Sequence, residues 1–310
     1  MFTDTKEIRI EISTKCNYDC VMCPRTSFSR ERVAMSTELF KHILEKTYKE
    51  VKQINSISFS GFGEFSTDSD WRIKIKEATK YYSYIHILTN LSLLDFDDFD
   101  FLLKYVYDIR ISFSSIDEES FQMSHHPQTN ISYENIKRKI IYLLNKRRGN
   151  QKIILNFLAM NGKEDTAAKW TDYWLNKADL IEIWRPHNWI TGKKFRKLSN
   201  KRLSTCGRPF HGPIQVQVDG TINVCCFDYN GELVIGDLKT QSYKDIFNGE
   251  NMKQIQLLHS SNRADEIGLC LICDQRNDFI SRKKNLIFSS AFNREDRIRK
   301  TSTCFENMFE

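Results

Sequence analysis

Five prolines and twelve glycines in 310 residues leave little room for a low-complexity linker or a disordered tail. No stretch approaches the roughly 18 consecutive apolar residues that a membrane span requires, so no membrane partner is expected. The opening MFTDTKEIRI is charged from residue 4 onward and lacks the apolar core of a secretory signal. The expected address is therefore the cytosol, where thiols stay reduced. The chain nevertheless holds nine cysteines. In a reducing compartment they argue for metal binding or catalysis and against disulfides. No internal repeat is present.

What remains is an ordinary soluble composition, 40% hydrophobic and 28% charged. The length suits one large core, or a main domain of about 200 residues with a smaller one attached. The net charge is +6, with basic clusters at 145–150, 192–197 and 281–284. Such runs are usually solvated faces. No recognisable nucleic-acid module accompanies them, which disfavours a nucleic-acid partner. An anionic small substrate or an acidic electron-donor protein suits the sign as well.

Two periodicities alternate through the first 185 residues. Strand-like runs occur at 8–13, 54–60, 84–90, 107–114, 152–160 and 180–185. Helical stripes lie between them: Leu39, Phe40, Ile43, Leu44, Tyr48 and Val51; Trp71, Ile75, Ala78 and Tyr82; Ile136, Ile140, Ile141 and Leu144. Ser36 or Thr37 is placed to cap the first. Six strands alternating with helices predict an α/β fold, a parallel sheet curved into a partial (β/α)6 barrel over residues 1–190. Ligands of such sheets bind at the carboxyl ends of the strands. Residues 186–213 break the pattern. The segment PIQVQVDGTINVCCF then reads as a β-hairpin about Asp219-Gly220. With helical segments at 242–260 and the closing CLICD, it predicts a small hairpin/helix module at 191–280, followed by a basic tail, 281–310.

The first strand runs directly into KCNYDCVMC, a C-x3-C-x2-C array of Cys16, Cys20 and Cys23. Three thiols leave one ligand position open. One reading is a zinc site with a distant fourth ligand. The other is an iron–sulfur cluster held by three thiolates, with one iron left free for an exchangeable ligand.

The array in its strand–loop–helix setting resembles the radical S-adenosylmethionine (SAM) enzymes. That resemblance implies a [4Fe–4S] cluster on Cys16, Cys20 and Cys23 whose open iron takes SAM, together with a flavodoxin- or ferredoxin-type electron donor. Gly61, Gly63 and Glu64 in SFSGFGEF resemble the family's Gly-Gly-Glu-Pro stretch near the methionine end of SAM. Phe65 stands where proline is usual, and Met22 where an aromatic often precedes the third cysteine; Met22 is expected to act through its backbone. Asn90 and Ser112, like Thr89 and Ser114, fall where the family keeps polar contacts to SAM. As local structure alone they are a turn residue and hydrogen-bonding serines.

Beyond residue 190, Cys206, Gly220-x4-Cys225 and Cys270-x2-Cys273 resemble the SPASM/Twitch extension of that superfamily. Phe279 occupies a position where a full SPASM domain continues its cysteines, and no cysteine occurs between 273 and 304. The resemblance thus implies one auxiliary [4Fe–4S] cluster on Cys206, Cys225, Cys270 and Cys273. A four-thiolate zinc ribbon is the alternative. Hairpin alternation points Cys226 to the opposite face from Cys225, and Cys304 reads as a free thiol.

Relatives of this kind include dehydrogenases and epimerases of aminocyclitols and sugars, and peptide-modifying maturases. The expected function is oxidation of an alcohol on a carbohydrate-like small molecule, with Arg185 orienting the substrate and His187 as general base. Epimerisation with Cys226 as hydrogen donor, peptide modification, and a non-catalytic metal-binding scaffold are the alternatives. Substrate specificity is expected in the loops 115–131, 186–205 and 227–241.

Overall fold

The six apolar runs become six strands, each shorter by a residue or more than the run that predicts it: β1 (Glu7–Ile10), β2 (Ser56–Phe59), β3 (Tyr84–Thr89), β4 (Asp108–Ser112), β5 (Lys152–Leu158) and β6 (Leu180–Trp184). They pair in chain order, every pair parallel. The computed structural model describes residues 6–160, 164–184, 186–190, 193–195, 202–276 and 286–289. Six helices fill the crossovers: α1 (Thr37–Glu50), α2 (Trp71–Ala78), α3 (Phe96–Tyr105), α4 (Glu118–His125), α5 (Tyr133–Lys146) and α6 (Glu164–Trp174).

Local chemistry sets their bounds. Ser36 caps α1, its side chain accepting from Leu39 N at 3.1 Å. Thr37 instead begins the helix and donates to Asp70 at 2.7 Å. Phe40, Ile43 and Leu44 of α1 are fully buried. On α5 the buried stripe is Ile136, Ile140, Leu143 and Leu144, whereas Ile141 is exposed. Leu143 lies seven residues from Ile136 and keeps to one helical face, from which Ile141 is turned away. Among the described residues no helix is long and apolar enough to cross a membrane.

The sheet does not end with β1 and β6. β7 (Ile214–Val216) pairs parallel with the free edge of β1 and is followed by antiparallel β8 (Thr221–Asn223) and β9 (Val234–Asp237). At the other edge β10 (Leu286–Ser289) lies antiparallel to β6. This gives one open sheet of ten strands, β10-β6-β5-β4-β3-β2-β1-β7-β8-β9. The hairpin predicted as part of a small module therefore extends the main sheet. Four residues of the segment predicted as a basic tail form a strand. Both additions cover an edge that would otherwise expose unpaired backbone groups. Among the described residues four more helices follow β6: α7 (Arg208–His211), α8 (Tyr243–Phe247), α9 (Glu250–Ser260) and α10 (Gly268–Ile272).

One buried ion pair joins these parts. Glu11, only 5% exposed, follows β1 and accepts from both terminal nitrogens of Arg30, at 2.7 and 2.9 Å. It also accepts from the backbone N–H of Phe62, in the loop after β2, at 2.8 Å. Arg30 Nε donates to the carbonyl of Tyr229, between β8 and β9, at 2.7 Å. A Cβ at Gly61 would lie 2.4 Å from Glu11 Cγ, so the bare glycine makes room for this carboxylate.

Replacing Arg30 by Met strands a buried carboxylate. The variant is expected to lose about 3–5 kcal/mol of unfolding free energy. In urea titrations the double variant Glu11→Leu/Arg30→Met should recover much of that loss. A single variant as stable as the double one would contradict this account.

Candidate functional site

The cysteine loop leaves β1 at the carboxyl end of the sheet and is held on three sides. On one side it lies along the end of α4: Asp19 N and Val21 N donate to the carbonyls of His126 and Ser124, and Gln128 N donates to that of Asn17. Part of the 115–131 segment, expected as a substrate loop, thus braces the cysteines. On the second side Glu64 N donates to the carbonyl of Lys15 at 2.7 Å. A Cβ at Gly63 would lie 2.2 Å from the carbonyl oxygen of Ser13. The close approach that this glycine permits is that of the chain's own backbone. On the third side Trp189 Nε1 donates to the carbonyl of Met22 at 2.7 Å, and Lys193 donates to that of Cys23 at 3.1 Å.

Cys16, Cys20 and Cys23 are all partly buried. Burial pushes the Cys16 thiol up to about 11 and raises those of Cys20 and Cys23. Left to themselves these thiols stay protonated; a bound metal deprotonates its thiol ligands outright. Arg25, two residues past Cys23, is 5% exposed and opposes the rise at Cys16 and Cys23. Its Nη1 bonds the carbonyls of Thr14 and Phe62, its Nε pairs with the Asp19 carboxylate at 3.6 Å, and Nη2 has no hydrogen-bond partner. A buried guanidinium with one nitrogen unused beside a thiol triad fits an anionic group there. Among the described residues no three His, Cys, Asp or Glu side chains are arranged around a single metal ion. A four-iron cluster, whose thiolates sit on separate irons, does not require that arrangement.

His125, which no local pattern singles out, lies 3.6 Å from Cys20 Sγ through Nδ1. Burial alone brings it down to about 4. It belongs to the unremarkable run SFQMSHHP, and only the fold of α4 against the cysteine loop brings it to the sulfur.

Glu64 is buried, which raises its pKa; hydrogen bonds from the Asn90 backbone and from Thr89 and Ser66 oppose the rise. Oε1 accepts from Thr89 Oγ1 at 2.7 Å and from Ser66 Oγ at 2.9 Å, and Oε2 accepts from Asn90 N at 2.8 Å. It therefore ties the end of β2 to the end of β3. Asn90 extends the clamp, its amide donating to Asn17 Oδ1 within the cysteine loop at 3.1 Å. Ser112 is half-buried on β4, opposite Asn156 of β5. Ser114 Oγ accepts from Leu158 N at 2.9 Å, so this hydroxyl joins β4 to β5.

The distal cysteines gather around α7 and α10. Burial raises the thiol of Cys225 strongly, that of Cys270 to about 12 and that of Cys273 to about 11. Cys225 feels the charges of Cys226 and Cys273, and Cys270 those of Cys206 and Cys273. Arg208 stands among them. Its burial favours loss of the proton, but Cys226, Cys225, Cys206 and Cys273 together hold it more firmly cationic than usual. The cation suits a four-thiolate anionic group on Cys206, Cys225, Cys270 and Cys273. His259 Nε2 lies 3.6 Å from Cys270 Sγ.

Between the two cysteine sets is a wall of rings. Trp189 is 6.0 Å from Phe62 and 5.5 Å from Phe227 between ring centroids, and Tyr229 is 5.9 Å from Phe62. His187 packs on Phe227 at 4.6 Å. Gln275 Nε2 donates to Asp274 Oδ1 at 3.1 Å and to His187 Nδ1 at 3.0 Å. The carboxylate accepts only, so the nitrogen assignment of that amide is fixed, and His187 Nδ1 is an acceptor. Arg185 and Cys304 lie outside the described residues.

A family model of the radical SAM superfamily matches residues 10–168, and one of SPASM, an iron–sulfur cluster-binding domain, matches residues 210–274. No curated protein sequence matches the chain. Among solved structures, BtrN in complex with AdoMet and 2-DOIA is similar with a TM-score of 0.61 at 16% identity, over 88% of this chain and 94% of that one. Native anSMEcpe with bound AdoMet gives 0.66 at 14% identity, over 97% and 96%. Streptococcus suis SuiB bound to precursor peptide SuiA gives 0.65 at 14% identity, over 88% of this chain and 70% of that one. At these identities the likeness is one of fold.

Glu64→Gln tests the clamp between β2 and β3. With the amide nitrogen at Oε2 two donors meet at Asn90 N; with it at Oε1 the Thr89 and Ser66 hydroxyls must reverse to accept and Ser66 N loses its acceptor. The expected loss is about 1–3 kcal/mol of unfolding free energy. It is read from the shift of the urea midpoint; an unchanged midpoint would remove Glu64 from this role.

Proposed function

The chain belongs to the radical SAM superfamily, and from that premise we propose that it oxidises a secondary alcohol on a carbohydrate-like small molecule, drawing electrons from a flavodoxin- or ferredoxin-type donor. Its cofactors are SAM and two [4Fe–4S] clusters, one binding SAM and one auxiliary. We assign the first to Cys16, Cys20 and Cys23, and the second to Cys206, Cys225, Cys270 and Cys273. When bound, SAM cleaved by reduction supplies the group that takes the carbinol hydrogen atom, and the auxiliary cluster supplies an acceptor for the second electron.

The observation that carries this reading is the ring wall between the two cysteine sets. Phe62, Trp189, Phe227 and Tyr229 offer an apolar face of the kind on which the C–H face of a cyclic polyol packs. His187 is set into that wall. With Nδ1 accepting from Gln275, its ring hydrogen is on Nε2. We assign the hydroxyl proton of the alcohol to His187 as general base, a role that requires Gln275 to release Nδ1. Phe227 and Tyr229 are buried and Phe62 and Trp189 half-buried, so a substrate on this face would displace water from it. The fold likeness to BtrN, whose complex holds AdoMet and 2-DOIA, supports a small-molecule substrate of this class.

Cys226 separates oxidation from epimerisation. It is the first of the thiols whose charge acts on Arg208. An epimerase needs a thiol to return a hydrogen atom to the substrate, whereas an alcohol oxidation asks nothing of Cys226. Cys226→Ala is accordingly expected to leave dehydrogenation intact. Formation of an uninverted product in that variant would favour the epimerase.

Anaerobic reconstitution should give about eight irons per chain, falling to about four in Cys16→Ala/Cys20→Ala/Cys23→Ala. Under strong reductant the intact protein should cleave SAM to methionine and 5′-deoxyadenosine. Deuterium on the carbinol carbon of a cyclitol or sugar should pass into the 5′-deoxyadenosine. Transfer from a peptide but from no polyol would overturn the substrate class, and zinc in both sites would overturn the enzyme.

A further inference from the structure

Each cysteine set has one buried imidazole at 3.6 Å from one sulfur: His125 against Cys20, and His259 against Cys270. The two histidines come from unrelated parts of the chain, His125 closing α4 and His259 in the last turn of α9. Hydrogen bonds to cluster sulfurs are among the levers that set a cluster's reduction potential. A donor favours the more negative, reduced state.

The hydrogens can be placed from the partners of each ring. His125 Nε2 lies 3.0 Å from the backbone nitrogen of Ser114. A backbone amide only donates, so Nε2 is bare and the ring hydrogen is on Nδ1, facing Cys20. His259 Nδ1 lies 2.9 Å from Thr205 Oγ1, which itself accepts from Gly207 N at 3.0 Å. The threonine keeps its own hydrogen to give to Nδ1, and with that bond made the ring hydrogen is on Nε2, facing Cys270. A thiolate has no hydrogen to give, so a ligand sulfur at either position requires the same arrangement. Neither ring can swing away. His125 is 2% exposed and packs against Tyr18 and Phe121, and His259 is 1% exposed.

We propose that His125 and His259 are positioning residues for the two clusters, each donating one N–H to a ligand sulfur, Cys20 and Cys270 respectively, and so raising the potential of its own cluster. This rests on the assignment of those cysteines as ligands. A merely structural histidine would move stability and leave the potentials where they are.

The test is a redox titration of the anaerobically reconstituted full chain, followed by EPR without SAM. His125→Phe should lower the potential of the SAM-binding cluster alone, and His259→Phe that of the auxiliary cluster alone. The expected size is about tenfold in the reduced-to-oxidised ratio, about 59 mV for one electron. His125→Asn, whose amide nitrogen can reach the position of Nδ1, should recover part of the shift. A variant that holds its cluster at an unchanged potential overturns the proposal for that histidine. Where a variant does not load, the unmodified protein decides: with 15N-labelled histidine, pulsed EPR of each reduced cluster should show one weak imidazole nitrogen coupling, and its absence overturns the proposal. Failure of the ligand assignment looks different, because iron content then stays near eight when Cys20 or Cys270 is replaced by Ala together with its neighbouring cysteine ligands.

Discussion

The ion pair of Glu11 and Arg30 is the constraint on which the arrangement of the two cysteine sets depends. Glu11 sits where β1 ends and the cysteine loop begins, and its carboxylate fixes the loop after β2 through Phe62 N. Arg30 carries the link to the far side, through the Tyr229 carbonyl, into the segment that follows Cys225 and Cys226. The backbone makes the same connection, since Glu11 N donates to Val216 O of β7 at 2.9 Å. A buried charge pair contributes little net stability beside well-packed apolar groups. Its value here is positional, because the pair is satisfied only when three separate segments are in register.

That register brings together two sites built on the same plan. Each places thiols where burial disfavours the thiolate, and each supplies a buried or half-buried arginine, Arg25 or Arg208, and an imidazole within reach of one sulfur. Low-dielectric surroundings enlarge whatever charge is introduced. An anionic cluster in such a place needs both counter-charge and donors, and the chain provides both at each site, with Lys193 also acting on Cys23 and Arg202 and Arg276 on Cys270. Arg25 pairs with Asp19 through Nε and keeps Nη2 without a hydrogen-bond partner, which suits a further anion beside it.

Much of this architecture was legible in the sequence, because strands of period two and helices of period 3.6 depend on neighbours close along the chain. The six parallel strands, the Ser36 cap and the hairpin about Asp219-Gly220 are of that kind. So is C-x3-C-x2-C, whose spacing lies within a single loop. What escaped the sequence is set by distant contacts. His125 is 105 residues from Cys20, and Arg30 is 199 from Tyr229. Nothing local distinguishes them from surface residues. The pairing of β7 with β1 also joins segments some 200 residues apart, and alternation alone cannot say which sheet a hairpin will extend. The glycines illustrate a subtler gap. Gly61 and Gly63 signal close approach in any reading, but only the fold identifies what approaches: Glu11 and the backbone of Ser13 and Lys15.

The ring wall follows from the same geometry. Phe62 belongs to the loop that Glu11 holds, Tyr229 to the segment that Arg30 holds, and Phe227 immediately follows the Cys225-Cys226 pair. Trp189 closes the gap between them and reaches the cysteine loop through the Met22 carbonyl. No part of the chain forms this surface alone. A substrate held there would be enclosed by the end of the parallel sheet on one side and by the hairpin extension on the other. Adding β7 to β1 therefore does more than cover an edge: it fixes where the distal cysteines stand relative to the first set, and so the separation across which the proposed oxidation would have to act.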